Sequence, residues 1–233
     1  MPEDQPVSIV ALIPKIVAQT LVFAALLFLP AGTLHWWQGW TYLLISLIAG
    51  IAGAVWLNAT NPGLLRERMK PLSQPDQPVA DKRATFIFVC LGLLWFVFIP
   101  LDVFHRHLLP LPPSWLRWTG LALWAVSMWL IYLAFRENSF AATVVKLQKE
   151  RQQTVIDSGP YAVVRHPLYS AVLIYAAGIA LWLGSVAAIP LIVVPLVGLV
   201  LRIRVEEAHL ERHLPGYDAY LRKVPWRLVP YVW

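Results

Sequence analysis

The residues best suited to chemistry lie in one short polar and aromatic segment, Gly159–Tyr169, which runs directly into a hydrophobic stretch. It contains Tyr161, Arg165 and His166, and His166 precedes Pro167. Because a residue before proline is disfavoured in the helical region, the spacing predicts irregular backbone that gives way to a helix at the proline. Irregular backbone near a membrane is tolerated where it lines a cavity. The segment therefore favours a functional site, and the alternative is a basic juxtamembrane turn with an interfacial tyrosine anchor.

A second charged cluster spans Arg202–His213. On a helix, Arg202 and Glu206 are one turn apart and share a face. Taken alone, this pattern favours an exposed helical extension with salt bridges between successive turns. A metal site formed by Glu206, His209 and His213 fits helical spacing, but the HExxH pattern of zinc proteases is not present.

Composition places these clusters in a membrane protein. Of the 233 residues, 58% are hydrophobic and 14% charged, whereas a soluble domain carries about 25% charged residues. The net charge of +6 is typical of basic cytoplasmic loops and does not indicate nucleic-acid binding. The single cysteine, Cys90, excludes an intramolecular disulfide and any cysteine-based metal centre within the chain, and packing is its expected role.

Hydrophobic stretches predict an all-α, polytopic membrane bundle of about six helices. The predicted helices are roughly Ser8 to Leu29, Trp37 to Asn58, Ala84 to Phe104, Trp115 to Phe135, Leu168 to Leu183 and Val186 to Ile203. With six helices, nearly all basic residues fall on one face, so the positive-inside rule predicts cytoplasmic termini. Both polar clusters then lie on the cytoplasmic face, where soluble nucleotide cofactors are available.

Local signals refine this topology. The proline-rich loop after Asn61 is predicted to be flexible, and Ser114 is the expected N-cap of the fourth helix. Pro190 and Pro195 are expected to kink the sixth helix. The last two helices are joined by only Gly184-Ser185 in this assignment, which predicts a tight antiparallel hairpin.

The hairpin brings the two charged clusters together. Because the end of the sixth helix returns beside the start of the fifth, Arg202 and Glu206 are expected close to His166 and Tyr169. An ionisable group near a membrane is costly unless it is paired or functional, so this arrangement favours a functional interpretation.

Taken together, the two clusters resemble a known family. Gln148, then Val155–Tyr161, the element Arg165-His166-Pro167-Leu168-Tyr169, an apolar hairpin, Arg202, Glu206-Glu207 and Tyr217–Tyr220 appear in that order. This order resembles the isoprenylcysteine carboxyl methyltransferases, most of all their bacterial and archaeal branch, whose relatives include phospholipid N-methyltransferases. The resemblance covers roughly Asn138 to Pro230, and the first four helices carry no family signal.

The resemblance implies an integral-membrane transferase that binds S-adenosylmethionine in a cytoplasmic cofactor pocket and takes a lipophilic acceptor from the bilayer. Arg202 matches the arginine that faces the acceptor, and Glu206 is expected to act with it in catalysis and to contact the cofactor. The other implied cofactor contacts are Gln148, Gln153, Thr154, Val155, Ile156, Tyr161, Arg165, His166, Pro167, Leu168 and Tyr169. Eukaryotic members usually have histidine at the position of Gln153, and the position of Leu168 is commonly a small residue.

The residue chemistry agrees with these roles. Basic groups and backbone N–H groups at a helix start suit the cofactor carboxylate, and Tyr161 and Tyr169 offer aromatic faces to its adenine ring or its sulfonium. If the acceptor is a carboxylate, Arg202 holds it in a charge-assisted contact and no base is needed. If the acceptor is an amine, Glu206, Glu207 or His209 are candidate proton acceptors.

Two other classes compete with the methyltransferase hypothesis. An NADPH-dependent membrane reductase of the sterol reductase type shares a cytoplasmic hairpin architecture, but no added basic pair for a 2′-phosphate is evident. A non-catalytic membrane protein such as a small transporter is disfavoured, because inverted repeats are not evident and the polar residues cluster at one face.

We predict N-terminal transmembrane helices over residues 1–137 and a catalytic region over 138–233. Expected partners are membrane lipids and the acceptor. Oligomeric state, acceptor identity and the role of the first two helices are left open.

Overall fold

The computed structural model describes residues 6–233, and the described part is helical with no strand. The eight α-helices are α1 (Ile9–Ala31), α2 (Trp37–Thr60), α3 (Pro62–Met69), α4 (Val79–Leu101), α5 (Ser114–Glu137), α6 (Pro167–Leu183), α7 (Val193–His213) and α8 (Tyr217–Lys223). A single π-helical turn, Asp102–Arg106, continues α4. The predicted all-α membrane bundle is thus confirmed.

Four helices are long and apolar enough to cross a bilayer: α1, α2, α4 with its π-helical continuation, and α5. The fifth predicted span, α6, is apolar throughout but only 17 residues long, which is at the lower limit for a spanning helix. The sixth, α7, is apolar in its first half and charged in its second. The count of six spans stays a prediction.

Two helix pairs position the site, and glycines allow their close approach. At Gly120 in α5, an added Cβ would lie 2.7 Å from the carbonyl oxygen of Gly178 in α6. At Gly198 in α7, it would lie 2.7 Å from the Cα of Phe88 in α4. Because backbone atoms occupy the space of a side chain, α6 packs directly on α5 and α7 directly on α4.

The predicted tight hairpin of two linking residues is wrong in its details. α6 ends at Leu183, and Gly184 follows in the left-handed conformation with φ 103°. The connection then continues to residue 192 and contains the 3₁₀ turn Pro190–Ile192. Pro190 has no N–H to donate to a helix, so regular helix starts only at Val193. The helices still return antiparallel, but each packs chiefly on another partner.

Three further local expectations are corrected. Only the first part of the predicted loop after Asn61 is helical: it forms α3, and the Asn61 side chain caps this helix by accepting from the Leu64 N–H at 2.9 Å, whereas residues 70–78 are not helical. Ser114 is the first residue of α5 and makes no side-chain cap. Pro190 and Pro195 lie before and within the first turn of α7, where a missing N–H costs nothing, and therefore do not kink a helix interior.

Candidate active site

The predicted motif forms irregular backbone held by the C-terminal tail. The 3₁₀ turn Gly159–Ala162 leads to His166, which precedes the first residue of α6, Pro167. The N–H groups of Arg165 and His166 donate to the carbonyls of Trp226 and Arg227 at 2.9 and 3.0 Å. The tail thus satisfies backbone groups that precede the helix. The sequence prediction of a helix starting at the proline is confirmed.

Packing beneath the motif comes from α8. The Tyr220 hydroxyl donates to the carbonyl oxygen of Tyr161 at 2.8 Å. Both rings are buried, and Tyr220 belongs to a small apolar cluster with Leu214, Tyr217 and Val224. Burial raises the pKa of Tyr161, so its phenol is neutral at physiological pH.

Glu207 joins three basic side chains beside the motif. Its carboxylate lies 3.0 Å from Arg165 Nε, 3.2 Å from His166 Nε2 and 2.8 Å from Arg227 Nε. Burial alone raises the pKa of Glu207, but hydrogen bonds from His166 and Arg227 and the charge of Arg165 outweigh it, and the pKa falls below its usual value. Glu207 therefore anchors the motif as a carboxylate and is a poor proton acceptor.

Arg202 is buried and donates hydrogen bonds to three oxygens from three parts of the chain. Nε donates to the Tyr169 hydroxyl at 2.9 Å, and Nη1 donates to Thr85 Oγ1 in α4 at 2.8 Å. Nη2 donates to the carbonyl oxygen of Thr143 in the segment between α5 and α6. Each terminal nitrogen carries a second N–H. Arg202 is thus held in one orientation with two donors still available.

Glu206 completes a polar chain with Tyr169. The Tyr169 hydroxyl donates to Glu206 Oε2 at 2.7 Å while it accepts from Arg202. The other oxygen, Oε1, lies 3.9 Å from His166 Nδ1. The His166 ring stacks on the Tyr169 ring with centroids 5.4 Å apart. The expected proximity of Arg202 and Glu206 to His166 and Tyr169 is confirmed.

These groups line a cavity of about 390 Å³, within the usual range for small-molecule sites. Its walls come from α3 to α7 and from the segment between α5 and α6. The predicted site residues that line it are Gln153, Tyr161, Arg165, His166, Pro167, Leu168, Tyr169, Arg202 and Glu206. The cavity therefore spans the predicted domain boundary at residue 137, since α3 and α4 also contribute to it.

Four predicted cofactor contacts lie away from the cavity wall: Gln148, Thr154, Val155 and Ile156. Gln148 is fully buried, and its side chain joins the Phe140 carbonyl at 2.8 Å and the Arg151 guanidinium at 2.6 Å. Val155 packs against the apolar cluster under α8. The Gln148 side chain thus holds together the segment between α5 and α6 that carries Thr143. Its contact with a cofactor stays a prediction.

Sequence reasoning misses two residues of the cavity wall, Thr85 and Arg68, and the buried Asp81, which lies behind the wall. Thr85 holds Arg202 from α4, and Asp81 one turn earlier accepts from Val145 N at 3.0 Å. Arg68 reaches the same cavity from α3. A signal for the first pair exists, because acid and hydroxyl one turn apart at the start of an apolar helix are expensive to bury without partners. Arg68 sits in a short amphipathic segment that carries no comparable pattern.

Metal ligation has no support in the described part of the chain, where His, Cys, Asp and Glu form no group of three or more suited to a metal. The ring centroids of His209 and His213 are 4.5 Å apart with the ring planes tilted by 37°, and His213 Nδ1 contacts the carbonyl oxygen of His209 at 2.7 Å. The two imidazoles thus pack on each other along α7.

A single match to known proteins covers both polar clusters, α6 and the charged cavity residues Arg165, Arg202 and Glu206. Residues 115–215 match the family model of the phospholipid methyltransferases. The match bears out the methyltransferase resemblance and supports a membrane methyltransferase in general. It starts at α5, so the expectation that the first four predicted helices carry no family signal is wrong for the fourth. A comparison with curated proteins found no match.

Proposed function

We propose that the protein transfers a methyl group from S-adenosylmethionine to a lipophilic acceptor, with the cofactor bound in the 390 Å³ cavity. The observation that carries this proposal is the chain Arg202–Tyr169–Glu206, which forms one wall of the cavity inside the family-matched region. Bound there, the cofactor supplies a methyl group on a sulfonium sulfur, which is already an activated leaving group.

The donors and acceptors on the wall fit this cofactor. Glu206 Oε1 has room to accept from an ammonium or ribose hydroxyl, since its nearest basic group is 3.9 Å away. Thr143 Oγ1 is buried without a hydrogen-bond partner within residues 6–233, and buried hydroxyls ordinarily have one. Phe88, Leu168 and the Tyr169 ring supply apolar and aromatic surface. An orphaned hydroxyl on the cavity wall supports a polar ligand there.

The chain's own groups would act by positioning and by excluding water. Arg202 keeps an N–H on each terminal nitrogen for an acceptor oxygen, while its remaining donors are fixed by Tyr169, Thr85 and Thr143. A preoriented guanidinium loses little freedom on binding, which is the main way such a site lowers a barrier. For an amine acceptor, Glu206 is the favoured proton acceptor, because three basic groups hold Glu207 as a carboxylate. We place this site on the cytoplasmic face, where the soluble cofactor is available.

The test is a methyl-transfer assay on protein reconstituted in nanodiscs, with methyl-labelled S-adenosylmethionine and a lipid extract as acceptor. We expect label in the lipid fraction with the wild type and at least about a hundredfold less with Glu206→Gln or Arg202→Lys. Glu206→Gln removes the negative charge, and Arg202→Lys keeps the positive charge but loses the fixed donor geometry of the guanidinium. Glu211→Gln, an exposed glutamate further along α7, is the matched control and should match the wild type. Full transfer in both site variants would overturn the assignment.

A further inference from the structure

A second and larger cavity, of about 810 Å³, lies among α1, α2 and α5. Its lining is mainly apolar and includes Phe23, Leu47, Gly53 and Met128. Arg68, Ile131 and Phe135 line both this cavity and the smaller one. The two spaces therefore meet at one place, beside the residues proposed to perform methyl transfer.

Arg68 occupies that junction with little to balance its charge. Its Nη1 donates to the carbonyl oxygen of Ala141 at 2.9 Å, and its guanidinium carbon lies 4.4 Å from the centre of the Phe135 ring. Within residues 6–233 it forms no ion pair with a carboxylate. Burial lowers the pKa of the guanidinium to about 10, which leaves it charged at neutral pH. A charge held in an apolar setting without a counter-charge favours an anionic ligand.

The charges around Arg68 also favour a negatively charged ligand. Lys15 also lines the larger cavity, and its Nζ donates to the carbonyl of Met69 at 2.8 Å, next to Arg68 in the chain. The residues that line this cavity include no aspartate or glutamate among the described residues. Across the junction, Arg202 faces the smaller cavity and repels Arg68. An anion between the two arginines would relieve this repulsion.

We infer that the α1–α2–α5 cavity holds the hydrocarbon chain of an anionic amphiphile, and that Arg68 binds its acidic headgroup. The inference rests on the proposed function, because it takes this amphiphile to be the methyl acceptor. It assigns a role to α1 and α2, which lie outside the family-matched region. A carboxylate and a phosphate headgroup share the required chemistry, since both accept charge-assisted hydrogen bonds from arginine.

Photo-crosslinking tests the inference without relying on turnover. Nanodisc protein is labelled with a palmitate analogue carrying a diazirine in its chain, and the modified peptides are mapped by mass spectrometry. We expect modification of α1, α2 or α5, with competition by palmitate or hexadecyl phosphate but not by hexadecylamine. The better of the two anionic competitors identifies the headgroup as carboxylate or phosphate.

Three variants sharpen the test. Gly53→Leu fills the larger cavity, because a Cβ added there has no heavy atom within 4 Å, and we expect about a tenfold loss of labelling. Gly92→Leu makes the same change in equally open space on α4, outside both cavities, and should label like the wild type. Arg68→Gln should weaken competition by palmitate about tenfold, and Arg68→Lys should restore part of it because the charge is kept.

Equal labelling of Gly53→Leu and Gly92→Leu would overturn the cavity assignment. Equal competition by hexadecylamine and palmitate would overturn the role of Arg68. Binding of S-adenosylhomocysteine is measured on the same samples and separates the two proposals. If S-adenosylhomocysteine binds but labelling is the same in all variants, only this inference fails. If S-adenosylhomocysteine does not bind although labelling changes as expected, the transferase proposal fails.

Discussion

Tyr169→Phe is the sharpest single change to the site, because it removes one hydroxyl that serves two charged groups. That hydroxyl accepts from Arg202 Nε at 2.9 Å and donates to Glu206 Oε2 at 2.7 Å. Without it, the buried Nε of Arg202 has no partner, which costs about 1 to 3 kcal/mol of stability. Glu206 also loses the bond that orients it toward the cavity. We expect the affinity for S-adenosylhomocysteine to fall about tenfold, equivalent to about 1.4 kcal/mol.

The matched control is Tyr175→Phe, the same substitution on the same helix. Within residues 6–233, the Tyr175 hydroxyl pairs only with the Tyr42 hydroxyl, at 2.7 Å, so the substitution removes a hydrogen bond between two neutral groups. We expect a loss of about 1 kcal/mol of stability and unchanged affinity for S-adenosylhomocysteine. Isothermal titration calorimetry gives the affinities, and tryptophan fluorescence during thermal unfolding gives the stabilities. Equal affinities in the two variants would refute the argument that this hydroxyl positions Glu206.

Two further predictions concern the scaffold. The pKa of Glu207 is lower in the folded protein than its ordinary value of 4.5, so its stabilisation is present above pH 4.5 and is lost as the pH falls through the folded value. Glu207→Gln should therefore lower the melting temperature at pH 7 and reduce the fall in melting temperature as the pH is lowered. The same dependence of melting temperature on pH in Glu207→Gln and in the control Glu211→Gln would contradict this. Gly178→Ala should destabilise by roughly 1 to 3 kcal/mol, because the new Cβ would lie 2.8 Å from the Gly120 carbonyl oxygen. Gly92→Ala should instead stabilise by up to about 1 kcal/mol, and a loss of stability in both would argue against close α5–α6 packing.

The proximity of the two polar clusters could be predicted from sequence because it follows from connectivity. A chain that leaves Tyr169 along one helix and returns along the next must bring Arg202 and Glu206 back to the same end, whatever the length of the link. The length of the link does not follow from hydropathy, because hydropathy does not register that Pro190 lacks the N–H a helix needs.

The supports of the site could not be predicted, because they are long-range and chemically ordinary. Thr85 holds Arg202 from 117 residues away, and Arg227 reaches Glu207 from the C-terminal tail. A threonine in an apolar helix and an arginine in a polar tail have many other possible partners. The prolines after Asn61 favour a flexible loop around Arg68, but the Asn61 cap and Pro62 at the first helical position start a helix there.

The most direct test of the central claim is calorimetric titration of the purified protein with S-adenosylhomocysteine and, separately, with NADPH. The proposed function predicts micromolar binding of S-adenosylhomocysteine, its loss in Glu206→Gln, and no binding of NADPH. Binding of NADPH alone would contradict the claim and indicate a reductase. Binding of neither ligand would also contradict it and leave the family match without a cofactor site.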